Sequence, residues 1–156
     1  MFVSILVRYP EIARVTYHRE THCLKLAVLV KSHLDEEAVS RLRDLIAKSV
    51  KAYARLSGRE VRVVDLSVTT REGVSVAEMW RDLDSLTQSE LSMTLALLRE
   101  SFGQELVVDQ FPGMDGEDLS FQEELIEEML EDLRGAKHQP NLIAFREEGR
   151  VLIFNR

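Results

Sequence analysis

The stretch from Leu24 to Thr70 constrains the fold more than any other part of the chain. Its first segment, 24–30, places apolar residues at every second position and predicts a strand. A later segment, 61–69, is rich in β-branched residues and predicts another. Because the segment between them is long enough for a helix of about six turns, the two strands can lie parallel through a right-handed crossover. They are either adjacent or separated by one further strand.

The segment between these strands predicts a long amphipathic helix. Ser32 or Asp35 can cap its first turn, and the acidic residues that follow suit the positive end of a helix dipole. Gly58 marks its C-terminus. The helix has one apolar face, which we expect to pack on the sheet. That face consists of Val39, Leu42, Leu45, Ile46, Val50, Tyr53 and Leu56.

Two further strands are predicted before this unit, over Phe2–Arg8 and Ile12–His18. The second of them forms a hairpin with the strand at 24–30. The resulting strand-strand-helix-strand order resembles, in architecture, small bacterial domains of the alkaline-shock type and the KH-like ribosome-binding factors. The resemblance includes no motif residue, so it implies a fold and neither a function nor site residues.

Two more helices are predicted downstream from a repeated capping pattern, in which Ser is followed three residues later by Glu. The first runs from Ser75 to Phe102, and its apolar part at 91–98 needs cover on most sides. The second begins at Ser120 and ends at Gly135. We expect its buried face to consist of Phe121, Leu125, Met129 and Leu133. Pro and Gly residues predict a loop at 111–116.

Two apolar runs, 142–145 and 151–154, predict a C-terminal hairpin in which both faces need cover. The chain of 156 residues is long enough for one substantial core and short for two. We therefore predict a single α+β domain over 1–156. It has a mixed β-sheet of about five to six strands built around the strand-strand-helix-strand unit, two further helices and the C-terminal β-hairpin.

Composition narrows the cellular setting. No stretch approaches the roughly twenty apolar residues of a membrane span, so no membrane association is expected. The N-terminus has no basic leader, and the single cysteine excludes an internal disulfide, so a cytoplasmic location is predicted. Arg outnumbers Lys by 15 to 5, which is typical of a GC-rich bacterial source.

The net charge of −7 is unevenly distributed and bears on nucleic-acid binding. Residues 1–71 carry a net +5 and residues 72–156 a net −12. The basic residues on or beside the central helix can neutralise phosphates, which makes an RNA-binding accessory protein one alternative. They are Arg41, Arg43, Lys48, Lys51, Arg55, Arg59 and Arg62. Against this alternative, the predicted sheet carries no aromatic pair on which bases would stack.

A metal-dependent enzyme is the second alternative. His18, His22 and Cys23 lie within six residues, and imidazole and thiolate are both zinc ligands. Their spacing matches no zinc signature, however, and side chains around a hairpin turn diverge. The chain also has no nucleophile elbow, phosphate-binding loop or dinucleotide fingerprint. We therefore predict no cofactor, no catalytic residue and no metal, and favour a protein that is not an enzyme.

The leading hypothesis is a non-catalytic protein-interaction or assembly module that self-associates, most simply as a dimer, and that can also bind another protein. A chain of this size has little interior in which to hide both the C-terminal hairpin and the apolar end of the 75–102 helix. The predicted interface residues are Leu97, Leu98, Phe145, Ile153 and Phe154.

Overall fold

The computed structural model describes residues 2–108, 116–135, 141–147 and 150–155. Its elements in chain order are α1 (Phe2–Arg8), β1 (Ile12–His18), β2 (Cys23–Val30), α2 (Glu36–Leu56), β3 (Val64–Arg71), β4 (Val74–Asp82), α3 (Gln88–Phe102), a short 3-10 turn (Gly103–Glu105), α4 (Gly116–Gly135), β5 (Leu142–Glu147) and β6 (Arg150–Asn155). The six strands form one sheet in the order β3-β4-β2-β1-β5-β6. The predicted α+β class and strand number are confirmed, with four α-helices among the described residues. Every neighbouring pair of described strands is antiparallel, so the sheet is antiparallel and the prediction of a mixed sheet is wrong. The two strands joined by the α2 crossover are separated by β4 and do not pair with each other.

The predicted central unit is confirmed, and one further strand lies between its two strands. Both β2 and β3 pair antiparallel with β4, which lies between them, so β2 and β3 run parallel to each other. The Asp35 carboxylate accepts a 2.7 Å hydrogen bond from the Ala38 N–H and caps α2. Leu42, Ile46 and Val50 are buried as predicted, whereas Leu45 and Leu56 are exposed, so their assignment to the packed face is wrong. Gly58 follows the helix with φ +70°, the left-handed conformation that glycine adopts without strain.

The predicted strand at Phe2–Arg8 is wrong, because these residues form the helix α1. A short apolar run does not distinguish a strand from a buried helix. Tertiary packing decides here: α1 contacts β1, β5 and α4, and Ile5 and Leu6 are fully buried. The N–H of Tyr9 donates to the Ile5 carbonyl at 2.9 Å, continuing the helical pattern.

The predicted helix from Ser75 is wrong in its first half. Residues 74–82 form β4, which pairs with β2 on one side and β3 on the other. Glu72 and Gly73 both have positive φ, 52° and 79°, so β3 and β4 are joined by a two-residue hairpin turn. The Ser75 hydroxyl caps no helix, since it donates to the Ser32 carbonyl at 2.7 Å. Helix α3 begins at Gln88.

Helix α4 ends at Gly135 as predicted but begins at Gly116, before Ser120. Its buried face contains Met129 and Leu133 as predicted, together with Ile126 and Leu130. Phe121 is 57% exposed, so the prediction that it is buried is wrong. The C-terminal hairpin is confirmed as β5 and β6. Most of the predicted loop at 111–116 lies outside the described residues.

A buried ion cluster joins the end of β4 to α3. The Arg81 guanidinium is 0% exposed and donates two hydrogen bonds to the Glu90 carboxylate, at 2.7 and 2.6 Å. Its other donors bond the Asp82 carboxylate, the Ser85 hydroxyl and the Val63 carbonyl. All five guanidinium N–H groups are therefore satisfied within the protein.

Candidate functional site

One face of the sheet is left open by the described helices. Helix α1 packs on β1 and β5, α2 packs on β3, and α3 packs on α2 and α4. The side chains directed to this helical side, such as Val15, Leu26 and Met79, are buried. The side chains between them point the other way because successive strand residues alternate in direction. We call this second surface the open face.

The strand register aligns the open-face residues into two rows. From β3 to β6, the first row contains Asp65, Trp80, Lys25, Thr16, Ile143 and Phe154, and the second contains Ser67, Glu78, Ala27, Arg14, Phe145 and Leu152. The central part of both rows lines a groove with a volume of about 690 Å³. Most of the lining is apolar, and the charged side chains lie together at its centre. Such a combination is typical of ligand sites.

Three charged side chains meet in this groove. One oxygen of the Glu78 carboxylate accepts a hydrogen bond from Arg14 Nη2 at 3.1 Å and lies 3.0 Å from Lys25 Nζ. The Glu78 and Lys25 side chains are mostly buried, whereas Arg14 is more exposed. Only one of the five N–H donors of Arg14 is used, and the others have no protein partner in the described part of the chain. The cluster therefore holds two cations against one anion.

Aromatic rings lie on both sides of these charges. The rings of His18 and Trp80 lie 4.7 Å apart, and Lys25 Nζ is 5.0 Å from the Trp80 ring centroid. On the other side, Phe145 and Phe154 stack with centroids 5.6 Å apart. This arrangement could not be predicted from the Ser-x-x-Glu pattern at Ser75, because that pattern predicts a helix where Trp80 lies in β4. The alternation of residues 75–81 after the turn at Gly73 is the signal that identifies the strand.

The surroundings of His18 lower the pKa of its imidazole below the ordinary histidine value. Burial lowers its pKa most, and the nearby Lys25 charge lowers it further, while Glu78 acts in the opposite direction. Its Nε2 atom is buried and has no hydrogen-bond partner among the described residues.

The three predicted metal candidates are neighbours in the β1–β2 hairpin but have different surroundings. His18 lies on the open face against Trp80, while His22 Nε2 lies 3.6 Å from the Asp84 carboxylate. Cys23 is buried, and burial raises the pKa of its thiol, which donates to the Thr21 carbonyl at 3.4 Å. Within residues 2–108, 116–135, 141–147 and 150–155, no three His, Cys, Asp or Glu side chains are grouped to hold a metal ion.

The basic residues predicted for RNA binding divide into engaged and exposed side chains. Arg43 donates twice to the Leu66 carbonyl, at 3.2 and 3.0 Å, and Arg62 lies 3.7 Å from Asp84. Lys51 and Arg55 are exposed and line a shallow depression of about 440 Å³ at the end of α2. Arg59 also lines the depression, and Arg41 and Lys48 are exposed elsewhere on the helix. RNA binding by this surface remains a prediction.

The five predicted interface residues fall in two places. Leu98 lies in the core, and Leu97 is partly buried on α3, so this region presents little free apolar surface. Phe145 is partly buried on the open face. Ile153 and Phe154 are 48% and 53% exposed on β6, the last strand of the sheet.

Comparison of the chain with known protein families, with curated proteins and with solved structures found no match. The strand-strand-helix-strand order behind the architectural resemblance is present as β1-β2-α2-β3. None of the described helices is long and apolar enough to cross a membrane.

Proposed function

We propose that the protein is a non-catalytic interaction and assembly module that forms a homodimer through β6. The observation that carries this proposal is the exposure of Ile153 and Phe154 on an edge strand. They point to opposite sides of the sheet, so each side of this edge strand exposes an apolar side chain. In the buried ion cluster, the Arg81 guanidinium is hydrogen-bonded to Glu90, Asp82 and Ser85. These groups bind one another, so we assign the cluster no role in a reaction.

The two edges of the sheet differ in a way that supports this choice. On the edge strand β3, Arg43 binds the Leu66 carbonyl, α2 packs alongside, and Asp65 supplies an exposed charge. These features protect a sheet edge from pairing. In contrast, residues 151–154 of β6 are four consecutive apolar residues without charge or proline. An edge of this kind is suited to pairing with another strand.

A second copy of the chain is the simplest partner for β6. Two antiparallel β6 strands related by a two-fold axis present the same residues to each other, which closes the assembly at two copies. Complete burial of a large apolar side chain contributes about 1.5–3 kcal/mol, so covering four half-exposed side chains contributes roughly 4 kcal/mol. Backbone hydrogen bonds between the strands add about 1 kcal/mol each. Both contributions act against the entropy cost of association and favour the paired state.

Analytical ultracentrifugation tests the proposal. We expect the wild-type chain of 17.9 kDa to sediment as a dimer at micromolar concentration, and Phe154→Glu to convert it to a monomer. Leu56→Glu is the matched control, because Leu56 is 89% exposed on the opposite, helical side of the protein and its substitution should leave the dimer intact. A wild-type monomer, or equal dissociation by both substitutions, would contradict the proposal.

A further inference from the structure

We propose that the groove on the open face binds a small organic anion, in which a carboxylate, phosphate or sulfonate group is carried on a flat apolar body. Arg14 and Lys25 would hold the anionic group, and Phe145 and the neighbouring apolar side chains would contact the body. The groove is lined by residues of β1, β2, β4 and β5, so ligand binding there does not require the β6 contacts of the proposed dimer.

The charge balance of the groove selects an anion. Arg14 and Lys25 carry two positive charges, and Glu78 neutralises one of them through a single oxygen. These three side chains therefore carry a net charge of +1, although the whole chain carries −7. An anion that accepts hydrogen bonds from the unused donors of Arg14 and Lys25 completes the neutralisation, and charge-assisted bonds of this kind are stronger than neutral ones.

The shape and lining of the groove select a small ligand with an apolar body. Its volume of about 690 Å³ falls in the range of about 300–1,000 Å³ that is typical of sites for small molecules. Phe145 lies directly opposite Arg14 in the strand register, and Ile143 lies opposite Thr16. An apolar surface therefore begins beside the cation. A flat ring attached to the anionic group can lie on it while the anion contacts Arg14.

A long polyanion fits the same surface less well. The affinity of proteins for nucleic acids depends on neutralising many phosphates, and each contact adds salt dependence. The groove offers one uncompensated positive charge, and Glu78 at its centre repels any phosphate beyond the first. The face of the Trp80 ring is also occupied by His18 and Lys25, so it is not available to a base.

Fluorescence titration with anilinonaphthalene sulfonate, an aromatic sulfonate that becomes fluorescent in apolar surroundings, provides the test. We expect saturable binding of one molecule per chain, weakened about tenfold by Arg14→Gln and by Lys25→Met, because each removes a charged donor. Lys48→Met is the matched control, since Lys48 is exposed on α2 and its loss should leave the affinity unchanged.

Glu78→Gln gives the most discriminating result. If Glu78 served only to hold the sheet together, its substitution would weaken or abolish binding. In our proposal the substitution releases both cations from their internal partner, so affinity rises severalfold. Ile153→Glu should leave binding intact at protein concentrations where it abolishes the dimer, because Ile153 lies on the side of the sheet opposite to the groove. This variant separates a failure of this proposal from a failure of the dimer.

Competition identifies the chemical class of the ligand. Displacement of the probe by an aryl carboxylate indicates an organic acid, and displacement by a nucleoside monophosphate indicates a phosphate ligand. Either result supports the proposal when an uncharged aryl alcohol fails to compete. Non-saturable binding, equal effects of Lys25→Met and Lys48→Met, unchanged or weaker binding by Glu78→Gln, or equal competition by the uncharged alcohol would overturn it. Far tighter binding of a single-stranded oligonucleotide, with steep salt dependence, would also overturn it.

Discussion

Replacement of Arg81 by methionine should be among the most destabilising single substitutions in this protein. Methionine retains an apolar stem of similar length and removes the guanidinium, so the change isolates the ion cluster from the packing of the stem. Both hydrogen bonds from Arg81 to Glu90 are lost, and Glu90 is 1% exposed. The carboxylate is then buried without its counter-charge.

The expected loss of unfolding free energy depends on the hydrogen bonds that each carboxylate keeps after the substitution. Asp82 still accepts hydrogen bonds from the Val63 N–H at 2.9 Å and the Ser85 hydroxyl at 2.8 Å. Within the described residues, Glu90 retains no charged hydrogen-bond partner once Arg81 is replaced. Removing one member of a buried ion pair costs about 3–5 kcal/mol. For a chain of this length, that loss lowers the melting temperature by about 10 °C.

Denaturation in guanidinium chloride, followed by far-UV circular dichroism, measures the change in unfolding free energy. The double variant Arg81→Met/Glu90→Leu should recover most of the lost stability, because replacing a buried pair by apolar residues is often neutral. Arg41→Met, at an exposed position of α2, is the matched control and should change stability by less than about 0.5 kcal/mol. A loss below about 1 kcal/mol for Arg81→Met, or a double variant no more stable than the single one, would refute this reasoning.

Two further predictions concern single buried polar groups. Thr94→Val should raise the unfolding free energy by about 1 kcal/mol, because the Thr94 hydroxyl is buried and has no hydrogen-bond partner in the part of the chain that the structure describes. A loss of stability in thermal or chemical denaturation would contradict this. Burial alone would raise the pKa of Asp82, but the hydrogen bonds from Val63 and Ser85 and the Arg81 charge outweigh it and lower that pKa. The stability contributed by Asp82 is therefore present above the ordinary aspartate pKa and is lost as the pH falls through the lowered, folded-state value. Asp82→Asn should reduce this acid-dependent loss in denaturation curves measured at several pH values, whereas Asn at the exposed Asp44 should not.

The helix and hairpins that the sequence predicted correctly have local causes. Helix α2 begins where Asp35 caps it and ends before Gly58, and both signals lie within one turn of the helix they bound. The β1–β2 and β5–β6 hairpins follow from short connections between apolar runs. In each case the residues that determine the element are its own neighbours.

The wrong predictions concern segments whose secondary structure is determined by residues far away in the sequence. The Ser-x-x-Glu pattern at Ser75 suits a helix, but β2 and β3 both offer pairing partners, and residues 74–82 lie between them as a strand. Phe2–Arg8 forms a helix because the sheet and α4 cover its apolar side chains. Local propensity is a weak preference that tertiary packing readily overrides.

The sequence by itself determined the α+β class, the unit built on α2 and the apolar character of the C-terminal strands. Only the tertiary structure decided which face of the sheet is open and which residues meet on it. The groove unites Arg14, Lys25, Glu78 and Phe145, which come from four strands spread over most of the chain. Their proximity depends on strand order and register, and a shift of one residue in a single strand would turn its side chains to the opposite face. Those quantities are set by the summed packing of the whole core, which no local pattern encodes.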